Sequence, residues 1–69
     1  MSHTYTYSSD SSSFSVVAND IDEAARLVAD SEGFVGVTDA EDLETKVESL
    51  GGYFELRSTT DTRRAFVAA

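Results

Sequence analysis

The chain has 69 residues and a formal net charge of −8, because thirteen acidic residues stand against five basic ones. It contains no cysteine, which excludes disulfide frameworks, thiolate metal sites and cysteine nucleophiles. The acidic excess argues against direct binding to nucleic acids or anionic membranes, since both need basic groups. This length allows one domain, residues 1–69, which buries about 60% of the surface that its unfolded chain exposes.

No apolar run approaches the roughly 18 residues that cross a membrane, and the amino-terminal residues lack the apolar stretch typical of a signal peptide. We therefore expect a cytoplasmic protein. We also expect a monomer that carries neither a metal nor a cofactor.

The amino-terminal third predicts a β-hairpin. Aromatic and threonine side chains alternate over residues 3–7, and apolar and polar side chains alternate again over residues 14–16. The serine-rich segment 8–13 between them is typical of a turn, because Ser and Asp side chains bond their own backbone. We expect the tyrosines to lie on the solvent-exposed face or along an edge of the sheet.

The next segment carries the start and stop signals of an amphipathic helix. Asp20 can cap the helix start, and Glu23, three residues later, completes a capping box. Gly33 marks the end. The apolar stripe, at spacings i, i+3, i+4 and i+7, consists of Ile21, Ala24, Ala25 and Val28.

A second helix follows a short apolar run, residues 34–37, which fits either a brief strand or a linker that fills the core. Thr38 begins a second capping box that ends at Glu41, and Gly51 supplies a left-handed helix end. The residues expected to face the core are Ala40, Leu43, Val47 and Leu50.

The carboxyl-terminal residues predict a second hairpin, with strands at 53–57 and 64–68 and a turn at 58–62. The order β-β-α-α-β-β predicts an α+β fold in which two β-hairpins form one antiparallel sheet and two helices pack on one face. The residues expected in the core are Phe14, Val16, Phe54, Leu56 and Phe66 from the sheet, with Ile21, Val28, Leu43 and Val47 from the helices.

Catalysis is not indicated by any motif. His3 is the one histidine and lies close to the amino terminus, while the serines have no partner base that could activate them. Gly51 and Gly52 fit a helix end better than a phosphate-binding loop. The acids at 20–23 lack the glycine and the distal glutamate of a calcium loop. We therefore expect a protein that is not an enzyme.

The distribution of acids is the unusual feature of the sequence. Ten of the thirteen acidic residues lie between Asp20 and Glu48, where two basic residues offset them. Glu41, Glu44 and Glu48 should cluster within about 60° on the second helix, opposite its apolar residues. Because like charges at these spacings destabilise a helix, either adaptation to high salt or a basic partner should favour them.

The partner hypothesis assigns a binding surface to eight acids. Helical carboxylates repeat every 4.5 to 6 Å or so, which is comparable with the charge spacing along a nucleic-acid backbone. An Arg- and Lys-rich site for phosphates could therefore accept them. The residues of this predicted surface are Asp22, Glu23, Asp30, Asp39, Glu41, Asp42, Glu44 and Glu48.

The acidic segment 20–48, flanked by the hairpins 4–17 and 53–67 in a small chain without cysteine, resembles phage-encoded anti-CRISPR proteins of the DNA-mimic kind. The resemblance covers the whole chain as a profile and includes no diagnostic motif. It implies an inhibitor that binds the DNA-binding surface of a type I CRISPR surveillance complex in the cytoplasm of a host bacterium.

Two alternatives remain open from the sequence. A halophilic housekeeping domain would explain the single lysine and the abundance of Ala, Val, Thr, Ser and Asp. An antitoxin-like protein that masks a toxin would instead use Tyr5, Tyr7 and Tyr53. The arginines Arg57, Arg63 and Arg64 leave a positive corner, where we expect them to neutralise Glu55 and Asp61.

Overall fold

An antiparallel sheet and two helices make up the structure, a computed structural model that describes residues 2–10, 12–58 and 65–68, the last range by its backbone alone. The strands are β1 (His3–Ser9), β2 (Ser13–Ala18), β3 (Phe54–Ser58) and a short β4 (Ala65–Ala68). The helices are α1 (Ile21–Glu32) and α2 (Ala40–Ser49), which lie between β2 and β3 in the chain. The predicted small α+β fold is thus confirmed in its coarse form.

Strand β1 lies inside the sheet, whose order is β2-β1-β3-β4. Tyr7 is paired with Phe14 on β2 and with Leu56 on β3, and all the pairings are antiparallel. The predicted second hairpin is matched only in part. Ser58, expected in its turn, belongs to β3, and the rest of that turn lies outside the described residues.

Tyr5 and Tyr7 lie in the hydrophobic core, so the prediction that the tyrosines face solvent is wrong for both. Only 5% of Tyr5 and 1% of Tyr7 is exposed. The Tyr7 ring centre lies 5.2 Å from that of Phe14 and 6.0 Å from that of Phe54. Because β1 has a strand on each side, its tyrosines do not line an edge of the sheet. They belong to the same cluster as the buried residues of both helices, which therefore cover this face. Small residues on α1, Ala24 and Ala25 among them, leave room for these large rings.

Most other core predictions are confirmed. Phe54 and Leu56 are fully buried and belong to the same cluster as the buried residues Ile21, Val28, Leu43 and Val47 of the helices. Phe14 and Val16 are partly buried against this cluster. Phe66 lies in β4, where side chains are outside the described part of the structure. Because one cluster includes both helices and the sheet, both helices pack on one face.

Each helix ends in a left-handed glycine, as the sequence predicts. Gly33 has φ of 80° and Gly51 has φ of 75°. After α2 the amide of Gly52 donates to the carbonyl of Val47 at 3.0 Å, which is the long bond of a Schellman motif. Leu50 is the cap residue just before this reversal and is 61% exposed, so the prediction that it faces the core is wrong.

The apolar run after α1 is a linker and not a strand. Phe34 and Val37 pack against the core, whereas 88% of Val35 is exposed. The amide of Phe34 donates to the carbonyl of Ala29 at 2.8 Å, which fixes how the chain leaves α1. The linker thus closes the core between the two helices.

Candidate functional site

The eight acids of the predicted surface fall into two groups. One group accepts hydrogen bonds that hold the helix ends in place, and the other makes none within the described residues. The first group contains Asp22, Glu23, Asp39 and Asp42. The second contains Asp30, Glu41, Glu44 and Glu48. Four acids of the predicted surface therefore stabilise the helix ends, and the other four have no hydrogen-bond or ion-pair partner within the described residues.

The start of α1 has the predicted capping box. The Asp20 side chain accepts a hydrogen bond from the Glu23 amide at 2.8 Å. In return, the Glu23 carboxylate accepts a hydrogen bond from the Asn19 amide at 2.6 Å. Both acids satisfy amides that would otherwise lack a partner at the helix start. Glu23 therefore stabilises the start of α1.

The start of α2 is displaced by one residue from the prediction. Asp39, and not Thr38, is the amino-terminal cap, and its side chain accepts from the Asp42 amide at 2.8 Å. Asp42 accepts from the hydroxyl of Thr38 at 2.6 Å and from its amide at 3.0 Å. These two bonds lower the pKa of Asp42 below its usual value, and the bond from the hydroxyl has the larger effect. The Asp39 carboxylate is a better cap than the Thr38 hydroxyl because its negative charge also complements the positive helix end.

Two side chains of α1 hold the start of α2 against it. The Asp22 carboxylate accepts from the Ala40 amide at 3.1 Å, and an Arg26 guanidinium nitrogen donates to the Thr38 carbonyl at 2.9 Å. The amino-terminal ends of the two helices consequently lie side by side. Asp22 stabilises this arrangement, since it places a negative charge where two positive helix ends meet.

The unengaged acids are spread over both helices. Asp30, Glu41 and Glu48 are exposed, and Glu44 is half-buried. We call Glu41, Glu44 and Glu48 the α2 stripe. The prediction that this stripe lies opposite the apolar residues is wrong. At 100° per residue it lies about 100° from them, and the opposite side carries Thr45 and Ser49. The stripe thus runs along the flank of α2.

Within the described residues no ion pair joins a basic side chain to the stripe, although Lys46 lies on the same helix. Arg57 forms an ion pair with Glu55, as the sequence predicts, whereas Arg63, Arg64 and Asp61 lie outside the described residues. Arg26 is engaged with the Thr38 carbonyl.

Sequence reasoning missed a cleft of about 160 Å³ between the first hairpin and the carboxyl-terminal ends of both helices. The acids Asp10 and Glu32 line it together with the Tyr7 side chain. Burial raises the pKa of Tyr7, and the charges of Glu32 and Asp10 raise it further, while a hydrogen bond with Ser9 lowers it. The acids could be noted in the sequence, but only the fold brings residues 10 and 32 to the same cleft as residue 7.

Other classes of site find no support within the described residues. No group of three or more His, Asp or Glu side chains there could hold a metal ion. No helix in the described ranges is long and apolar enough to cross a membrane. Of the tyrosines named for an antitoxin-like surface, Tyr5 and Tyr7 are buried and Tyr53 is 42% exposed, so that surface does not form as predicted.

No protein-family model, curated protein or solved structure matches the chain.

Proposed function

We propose that the protein is a non-enzymatic inhibitor that presents an acidic helical surface to the basic nucleic-acid-binding site of a protein partner. One observation carries the proposal. Four acids, Asp30, Glu41, Glu44 and Glu48, make no hydrogen bond or ion pair within the described residues, although the neighbouring acids are engaged at the helix ends.

The energetics of the α2 stripe support a charged partner. Like charges three and four residues apart repel each other and reduce helix stability by a few tenths of a kcal/mol per pair. A cationic groove reverses the sign of this effect, because guanidinium groups pair with carboxylates as they pair with phosphates. Along the helix axis Glu41, Glu44 and Glu48 follow each other at about 4.5 and 6 Å, on a scale similar to that of backbone phosphates.

The class of partner follows from this chemistry. A DNA-binding groove offers closely spaced Arg and Lys side chains and gains affinity from contact with anions. We propose a type I CRISPR surveillance complex as one such target, in which the protein would exclude DNA. The acids of the helix starts, Asp22, Glu23, Asp39 and Asp42, would set the position of the stripe.

A salt-adapted housekeeping domain is a second candidate. It is favoured by the single ion pair within the described residues, Arg57 with Glu55, because unpaired carboxylates stay hydrated at high salt. Circular dichroism in dilute buffer separates the two candidates. The inhibitor is folded there, whereas the salt-adapted domain folds only as salt approaches molar concentrations and screens its charges.

The proposal is tested by capture from a cell lysate followed by elution with a DNA duplex. The baits are the wild type, the stripe variant Glu41→Gln/Glu48→Gln and the control Glu55→Gln/Asp61→Asn, which loses the same charge from two acids that are not among the eight of the predicted surface. The proposal expects the wild type and the control to retain a protein that DNA releases, while the stripe variant retains at most a tenth as much. Equal retention by all three baits, or capture that DNA does not compete, would contradict it.

A further inference from the structure

The cleft described above combines aromatic walls with two carboxylates. Phe34, Leu50 and Tyr53 line it besides Tyr7, Asp10 and Glu32. Leu50 is 61% exposed and Tyr53 is 42% exposed, so apolar and aromatic surface is accessible to a partner. Exposed apolar surface within a concave site is typical of a place where another molecule binds.

The electrostatics of the cleft favour a cation. It lies at the carboxyl-terminal ends of both helices, where the partial charge of a helix is negative. The last turn of α1 contains no basic residue and instead carries Asp30 and Glu32. Helix ends of this kind are normally stabilised by Lys, Arg or His⁺. A bound cation would supply the charge that α1 lacks.

Asp10 and Glu32 both act on Tyr7 at the wall of the cleft, and the Glu32 carboxylate also accepts hydrogen bonds from the Ser12 hydroxyl at 3.1 and 3.4 Å. Both carboxylates raise the pKa of Tyr7, whose ring lies in the core between Phe14 and Phe54. An anion such as a phosphate would therefore be repelled, whereas a cation with a flat apolar surface would be attracted by the carboxylates and by the exposed part of the Tyr53 ring.

We propose that this cleft binds an arginine side chain of the basic partner. A guanidinium stacks on aromatic rings and pairs with a carboxylate through two parallel hydrogen bonds, which a lysine ammonium cannot do. The inference rests on the proposed function for the identity of the partner. Glu48, the last acid of the α2 stripe, is next in the chain to Val47, which lines the cleft, so the two surfaces adjoin at the end of α2.

The test is an NMR titration of the full chain with N-acetyl-arginine methylamide, followed by backbone amide shifts. The neutral citrulline analogue and the lysine analogue serve as comparison probes. We expect saturable shifts at the amides of residues 10, 32, 34 and 52 with the arginine probe. The lysine probe should bind at least fivefold more weakly, and the citrulline probe should cause no saturable shifts. Glu32→Gln and the surface variant Asp10→Asn should each weaken binding at least threefold, while Glu41→Gln leaves it unchanged.

Three results would overturn the inference. They are the absence of saturable shifts, equal shifts with citrulline, and shifts that follow the α2 stripe and disappear with Glu41→Gln. Tight binding of lysine in place of arginine would overturn the choice of side chain. If the cleft binds arginine while the lysate baits behave alike, the proposed function fails and the cleft stands. If the stripe variant alone loses its partner and the arginine probe does not bind, the proposed function stands and the inference about the cleft fails.

Discussion

The cap of α2 provides the first test at the scale of single residues. Asp39 bonds the Asp42 amide at the helix start, whereas the Thr38 hydroxyl makes an exposed bond to the Asp42 side chain. Asp39→Ala should therefore lower the free energy of unfolding by about 1 kcal/mol, the usual effect of losing a cap. Thr38→Ala should have a smaller effect. Urea denaturation measures both, with Asp20→Ala as the equivalent change at α1, and a larger loss for Thr38→Ala would contradict the assignment.

The ionisation of Asp42 depends on Thr38. Because the hydroxyl and the amide of Thr38 donate to its carboxylate, its pKa is lowered in the folded state. The bonds therefore contribute stability above the ordinary pKa of an aspartate, and this contribution is lost as pH falls through the lowered value. Thr38→Val removes the hydroxyl donor and should raise the pKa of Asp42 in an NMR titration of its carboxyl carbon. An unchanged midpoint would show that the hydroxyl does not determine the shift.

The hydroxyl of Tyr7 should limit stability in alkali. Burial raises its pKa above 10.0 in the folded state, so the neutral phenol is favoured there. This stability is complete below the unfolded pKa and disappears as pH rises through the folded one. Tyr7→Phe should therefore lose less stability than the wild type on going from about pH 9 to pH 11, whatever its stability at neutral pH. Urea denaturation at each pH measures this. If the wild type and Tyr7→Phe lose the same free energy of unfolding over this range, the titration of Tyr7 does not limit stability in alkali.

At the scale of elements, the end of α2 depends on Gly51. A side chain at its φ of 75° meets the carbonyl oxygen, so Gly51→Ala should reduce the free energy of unfolding by about 1 kcal/mol. Gly52→Ala is the matched control, because Gly52 lacks a positive φ and its added Cβ would lie 3.4 Å from a Val47 methyl group. Thermal denaturation compares the two variants, and equal losses would show that the left-handed conformation is not what Gly51 supplies.

Both helices could be predicted because their start and stop signals are local. Asp20 with Glu23, and Gly33 and Gly51, act on amides and carbonyls within five residues of themselves. The sequence alone places the α2 cap one residue too early, because Thr38 and Asp39 are both good caps. Only the bond that the Asp42 amide donates to the Asp39 side chain decides between them.

The burial of Tyr5 and Tyr7 could not be predicted from alternation. The pattern of residues 3–7 is the same whichever face the helices cover, and the order β2-β1-β3-β4 that places β1 inside is set by distant segments. The same limit applies to the site. The acids could be found in the sequence, but Asp22 bonds the amide of Ala40, and that engagement depends on how the two helices pack.

At the scale of the whole molecule, the net charge of −8 is divided between scaffold and surface. Acids at the helix starts hold α1 and α2 side by side, and the proposed partner would contact the α2 stripe and the cleft. A uniform acidic coat would not need such a division. We therefore expect the position of the acids, and not the total charge, to determine binding.

The most direct test of that claim is displacement of a fluorescent target duplex from a purified type I surveillance complex, followed by anisotropy. The wild type and the control Glu55→Gln/Asp61→Asn should displace the DNA at similar concentrations. The stripe variant Glu41→Gln/Glu48→Gln should need at least about 30-fold more protein, because losing even one of its two charge pairs at a desolvated interface costs about 2 kcal/mol or more. Equal displacement by the stripe variant and the control, or no displacement by the wild type, would contradict the account.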